Sequence, residues 1–122
     1  MGRFVYTVEG NVGWEWKYAF AEQCSNFGYY AENYLDVPVY TSENDPDGEY
    51  IHIHLGKDIL LERLTELIDE LRKQMNTRCF HCPVCGERVC LEWTKEMFEN
   101  FYETIKDSPD DIIDMLLYSE YI

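Results

Sequence analysis

Apolar residues in this chain repeat with one period up to about residue 55 and with another from residue 57, and this switch restricts the fold more than any other feature. Residues 3 to 8 alternate, with Phe4, Tyr6 and Val8 on one side. Residues 14 to 20 alternate more strictly, with Trp14, Trp16, Tyr18 and Phe20 set against Glu15, Lys17 and Ala19. Period two is the repeat of a strand, whose successive side chains point to opposite faces. Between the runs, Glu9-Gly10-Asn11-Val12-Gly13 supplies turn chemistry, so the two form a predicted β-hairpin. The aromatic row from Trp14 is read as a core-facing strand face, in preference to a stacking surface for bases. Val37 to Thr41 and Tyr50 to Leu55 make a second strand pair around the turn-rich residues 42 to 48, with Ile51, Ile53 and Leu55 toward the core. Pro38 puts the first of these at an edge or near its own start. From Lys57 to Met75 the period becomes 3.6, and Leu60, Leu64, Leu67, Ile68, Leu71 and Met75 fall on one stripe of an amphipathic helix.

The expected class is therefore α+β, an antiparallel sheet of about four strands in two hairpins with a long helix lying on it. Residues 21 to 34 fit neither period, and Cys24 stands there alone as a small apolar residue. Toward the C-terminus, Met97, Phe98, Phe101, Tyr102 and Ile105 give a second helix, broken at Asp107-Ser108-Pro109. Ser108 as N-cap, Pro109 at the first helical position and Asp110 and Asp111 in the first turn predict a third, with Ile112, Ile113, Leu116 and Leu117 as its apolar side. A chain of 122 residues suits one domain that buries roughly two thirds of its unfolded surface. Within it, residues 1–56 are read as mainly β, 57–77 as helix, 78–93 as a Cys-rich metal-binding knuckle and 94–122 as a helical hairpin.

Four of the five cysteines and one of the three histidines lie between Cys79 and Cys90. Thiolates repel one another, so crowding of this kind calls for a cation or a disulfide. Cys79 to Cys82 and Cys82 to Cys85 are both Cys-x2-Cys, a spacing that lets a tight turn aim two sulfurs at one point while backbone N–H groups offset their charge. Pro83 presets a turn angle, and Gly86 permits the positive φ required just after the second sulfur. The segment Cys82-Pro83-Val84-Cys85-Gly86-Glu87 resembles the Cys-Pro-x-Cys-Gly knuckle of zinc ribbons and rubredoxin-like modules, which implies half of a tetrahedral zinc site. A zinc ribbon takes its other pair from a second knuckle, and this chain has no second Cys-x2-Cys, so Cys79 and Cys90 are the nearest candidates to complete the set. His81 could replace one of them, and His52 and His54, on one face of a strand, are more distant options. An iron-sulfur cluster is the alternative cofactor, although the bacterial run has its fourth Cys after three residues and followed by Pro, whereas Cys90 follows Cys85 after four and precedes Leu91.

Charge narrows the partners. The net charge is -14, and it is uneven: residues 31 to 50 hold six acids and no bases, and residues 96 to 122 hold eight acids and one base. Such a field repels nucleic-acid phosphate and attracts basic protein surfaces. Catalysis finds little support: the sequence contains no His-Glu-x-x-His, no Gly-x-Ser-x-Gly and no phosphate-cradling Gly loop, and four thiolates close a zinc site. The chain is thus read as a small acidic zinc-binding, protein-interaction or regulatory module that binds a basic surface; an inhibitor that mimics nucleic-acid charge is the sharpest form of that reading. A metal-dependent or thiol-redox enzyme and a structural subunit of a larger assembly are the alternatives. No segment reads as a signal peptide or a membrane span, Tyr6 spoils a myristoylation pattern, and the expected location is cytoplasmic.

Overall fold

A computed structural model describes residues 3–18, 27–76 and 88–121. Five strands form one antiparallel sheet: β1 (Arg3–Gly10), β2 (Glu15–Tyr18), β3 (Val39–Thr41), β4 (Glu49–Gly56) and β5 (Ile112–Tyr121), in the order β2-β1-β5-β4-β3. The helices are α1 (Phe27–Tyr30), which continues as a π-helical turn over Ala31–Leu35, then α2 (Lys57–Asn76) and α3 (Arg88–Lys106). Both expected hairpins are present, β1 with β2 and β3 with β4. The long helix begins at Lys57 as its periodicity predicts.

The expected C-terminal helical hairpin is overturned. Only its first half is helical: α3 starts at Arg88, inside the stretch assigned to the knuckle, and ends at Lys106, while residues 112 to 121 form the central strand of the sheet. The capping chemistry of Ser108 is real but serves a turn, its Oγ accepting from the Asp110 N–H at 3.4 Å. Lys57 then fastens that turn to the start of α2: its backbone N–H donates to the Asp111 carbonyl at 2.7 Å and its ammonium to the Ser108 carbonyl. Beyond the turn, Ile113, Met115, Leu117 and Ser119 are buried while Asp114, Leu116 and Tyr118 alternate with them on the other face, a strand repeat. With helices on one face and apolar or aromatic side chains such as Leu116 and Tyr118 on the other, the strand carries a nearly continuous apolar run, which a short sequence window cannot separate from a helix.

All the helices pack on one side of the sheet. Val5, Ile51, Ile53, Ile113, Met115 and Leu117 face Leu60, Leu64, Leu67 and Leu71 of α2 and Met97, Phe98, Phe101 and Ile105 of α3 in a single core. Burying each such side chain is worth about 1.5–3 kcal/mol before entropy is counted. Trp14 belongs to this core as expected, its ring 4.7 Å from Phe101 edge-on and its Nε1 donating to Asn100 Oδ1 at 2.9 Å. Phe27 stacks on Phe98 at 5.1 Å. In β1 the residue turned to the helices is Val5, so Phe4 and Tyr6 lie on the opposite, helix-free face. No helix among the described residues is long and apolar enough to cross a membrane.

Candidate functional site

The helix-free face of the sheet gathers residues from all five strands. Tyr6 of β1 pairs with Tyr118 of β5, Tyr118 with Tyr50 of β4, and Tyr50 with Tyr40 of β3, while Glu15 of β2 pairs with Tyr6 at the far end. Four tyrosines thus stand in one row across the strands. Tyr50 and Tyr118 lie 4.7 Å apart between ring centroids, and Tyr6 meets Tyr118 edge-on at 6.0 Å. Phe4 extends the patch beside Tyr6 at 4.6 Å, with the Lys17 ammonium 4.8 Å from its ring centre. Gly48 makes room for the row: a Cβ there would come within 2.2 Å of the Tyr118 hydroxyl. At the β3 edge Tyr40 is 55% exposed.

Carboxylates surround the rings. Burial, reinforced by the negative charge of Glu120, raises the Tyr6 phenol above its usual pKa; the neighbouring Tyr118 and Tyr50 and a hydrogen bond to Glu120 act in the same direction. On the other side of the row, a depression of about 300 Å³ is lined by Glu9, Gly10, Tyr40, His52, Asp114 and Leu116. Its geometry depends on how β1 leaves the sheet. A register shift between Thr7 and Glu9 turns the strand, and Gly10, at φ 126°, passes so close to β5 that a Cβ would lie 2.1 Å from the Asp114 carbonyl oxygen. Asn11 then clamps β5 with both ends of its amide: Nδ2 donates to the Ile112 carbonyl at 2.7 Å, and Oδ1 accepts the Asp114 N–H at 2.9 Å.

His52 and His54 extend from β4 on this face, and each points a ring nitrogen at the same oxygen, Asp114 Oδ1, at 3.5 and 3.3 Å. Their ring centroids are 6.5 Å apart. Among the described residues no group of three or more His, Cys, Asp or Glu is placed to hold a metal ion. The two histidines also lie across the sheet from α3, whose third residue is Cys90. Cys79, Cys82, Cys85 and His81 lie outside the described residues, as do Cys24 and the Cys90 side chain.

A second hollow, of about 630 Å³, runs along α2 and α3 beside Trp16 and Tyr102, with Asp69, Glu96 and Glu103 on its walls. Arg72 lies on the same wall and pairs with Asp69 at 3.5 Å, and other bases are engaged elsewhere in the molecule. Arg72 and Lys95 converge on Glu99 at 2.9 and 3.1 Å. Arg3, buried, donates through Nε to Ser119 Oγ at 3.2 Å and through Nη2 to the Asp47 carbonyl at 2.9 Å. Arg63 donates to the Leu35 carbonyl at 2.7 Å.

The tyrosine row was not foreseen, because it exists only once β5 stands between β1 and β4. Its signal in the sequence is each tyrosine's position next to a core aliphatic: Tyr6 beside Val5, Tyr50 beside Ile51, and Tyr118 beside Leu117. No family model, curated protein or solved structure matches the chain.

Proposed function

We propose that this chain is a protein-interaction module that binds a basic protein surface and uses zinc as a structural brace. One observation carries the interaction reading: a net charge of -14, concentrated where residues 31 to 50 hold six acids and no bases and residues 96 to 122 hold eight acids and one base. Long-range attraction of this kind steers basic partners and speeds their encounter. Zinc is assigned to Cys79, Cys82, Cys85 and Cys90, whose spacing supports the brace. Cys90 is also in the first turn of α3, where the positive end of the helix dipole favours a thiolate. Four thiolates leave the ion no open position, so it tethers the end of α2 to the start of α3 and has no catalytic role. Thiolate ligation of this kind suits a reducing compartment, and we infer a cytoplasmic setting.

The test is the association of the full chain with a panel of purified basic and acidic proteins, measured from about 0.01 M to about 1 M salt, over which the Debye length shrinks from about 30 Å to about 3 Å. Basic proteins should bind at the low end and release at the high end. Association that is indifferent to salt, or equal for acidic proteins, refutes the reading.

A further inference from the structure

From the geometry of the helix-free sheet face we infer that it is the docking surface, and that its occupant is an extended, arginine-bearing segment of a partner protein whose guanidinium groups stack on the row Tyr6, Tyr118, Tyr50 and Tyr40. This inference rests on the basic-partner reading and adds the place and the side chain recognised. Three observations combine.

The first is that the face is aromatic yet wet. Phe4, Tyr6, Tyr50 and Tyr118 are only partly buried and Tyr40 is mostly exposed, so part of each of these side chains is open to solvent and to a ligand. The second is sign. Among the described residues, the charged side chains standing among the rings are Glu9, Glu15, Asp114 and Glu120 against the single ammonium of Lys17, which itself lies over Phe4, and the His52 and His54 rings, which both point at Asp114. An open aromatic sheet face can stack nucleic-acid bases, but only where cations hold the phosphates. Here the charge is reversed. A planar cation suits both features, because a guanidinium stacks on a tyrosine face and pairs in a fork with a carboxylate, while its aliphatic stem covers apolar surface.

The third is dimension. Neighbouring strands stand about 4.7–4.9 Å apart, so four rings in one row span about 14 Å. Alternate residues of an extended segment laid along the row recur every ~6.6–6.8 Å, which brings about three of them over the rings. Beside the row, the depression of about 300 Å³ lined by Glu9, Tyr40, His52, Asp114 and Leu116 offers one guanidinium the Glu9 carboxylate and that of Asp114, whose Oδ1 the His52 and His54 rings also approach.

The experiment titrates the isotope-labelled full chain with a synthetic peptide of alternating arginine and glycine, with its lysine counterpart, and with a single-stranded oligothymidine, following backbone and tyrosine-ring resonances. We expect the arginine peptide to bind more tightly than the lysine peptide and to shift the resonances of Tyr6, Tyr40, Tyr50 and Tyr118. Tyr40→Ala, at an exposed edge position that the fold tolerates, should weaken the arginine peptide about two- to fivefold, the range expected for one exposed cation–π contact. Glu15→Gln, at the other end of the row, should weaken it and lessen its salt dependence, whereas Glu62→Gln on the exposed side of α2 should do neither.

Arginine binding with shifts confined to α2 and α3 would overturn the assignment of the face while leaving the basic-partner reading intact. Equal affinity for the two peptides would overturn the arginine assignment. Shifts on this face produced by the oligonucleotide would give it to nucleic acid, and concentration-dependent shifts without any peptide would give it to a second copy of the chain; either overturns the inference. If neither cationic peptide binds at low salt, the docking inference and the basic-partner reading fall together.

Discussion

Alanine at position 10 should destabilise this protein about as much as a core truncation, because Gly10 has no room for a methyl group on either of two counts. Its φ of 126° is a backbone region that side chains rarely adopt, at a cost of about 1–3 kcal/mol. Its Cβ would also lie 2.1 Å from the Asp114 oxygen and 2.5 Å from the Met115 Cα, both backbone atoms of the central strand, which cannot swing aside as a side chain would. Separating the strands to relieve the clash loosens the bond from the Asn11 N–H to the Asp114 carbonyl and both amide bonds of Asn11, each worth about 0.5–1.5 kcal/mol. Because the bonds are loosened and not lost, strain plus a part of their worth puts Gly10→Ala at about 3–4 kcal/mol, a large part of the ~5–15 kcal/mol that holds a domain folded. At about 4 °C per kcal/mol for a chain of this size, the melting temperature should fall by about 12–16 °C. Gly13 is the control: a Cβ there meets nothing within 4 Å, so Gly13→Ala should change stability by no more than about 0.5–1 kcal/mol. Thermal and urea denaturation of the two variants decide the matter. If Gly10→Ala stays within about 1 kcal/mol of the parent, β1 does not cross β5 at this point and the sheet order is wrong.

The central strand makes a second prediction. Leu117 is fully buried while Leu116 faces the open side, so Leu117→Ala should cost about 2–5 kcal/mol in urea denaturation and Leu116→Ala clearly less; equal costs would fit a helix and not a strand. If the knuckle binds zinc, Cys82→Ser and Cys85→Ser should each lower the melting temperature sharply and release the metal in mass spectrometry, while Cys24→Ser should do neither; equal effects from all three would defeat the ligand assignment. For Tyr6 the sign is set by a folded-state pKa above the unfolded value of 10.0. Its neutral form is favoured in the native protein, so that contribution is complete below pH 10.0 and is lost as pH climbs through the raised value. Stability should therefore decline at strongly alkaline pH, and Tyr6→Phe should flatten part of that decline; an unchanged alkaline profile would argue against the burial of the Tyr6 phenol beside Glu120.

What could be read from the sequence was what depends on neighbours in the chain. The hairpins around Gly10-Asn11 and Asp47-Gly48 join adjacent segments, and α2 shows its stripe in any window from Leu60 to Leu71. β5 was misread because its evidence is distant. Ser108-Pro109 opens a turn with the residues that open a helix, and Ile112-Ile113 and Leu116-Leu117 are apolar on both faces because helices cover one and the tyrosine patch adjoins the other. Only pairing with β1, at the other end of the sequence, and with β4, near its middle, settles the period. The tyrosine row inherits the same difficulty: each of its four members belongs to a different strand, so no local pattern contains it. The Cys-x2-Cys spacing, in contrast, is a local statement about ligands and could be read directly, while the choice of the remaining ligands depends on what folds beside them.

Why recognition should use the face of this sheet and not its edges follows from how the edges are built. Exposed edges invite strand addition, and proteins blunt them with short strands, charge and proline. Here β2 carries Glu15 and Lys17, while β3 has three residues and follows Pro38, whose missing N–H removes a donor. Among the described residues, charge guards the one edge, and shortness and proline guard the other. The face is protected differently. An open sheet face covered by leucine or valine would be an aggregation hazard, but tyrosine offers a flat apolar ring with a hydroxyl that stays hydrated, and Glu9, Glu15, Asp114 and Glu120 repel a second acidic copy. The arrangement that keeps the free protein apart from its own kind therefore leaves one class of surface welcome on the rings: one that brings positive charge with it.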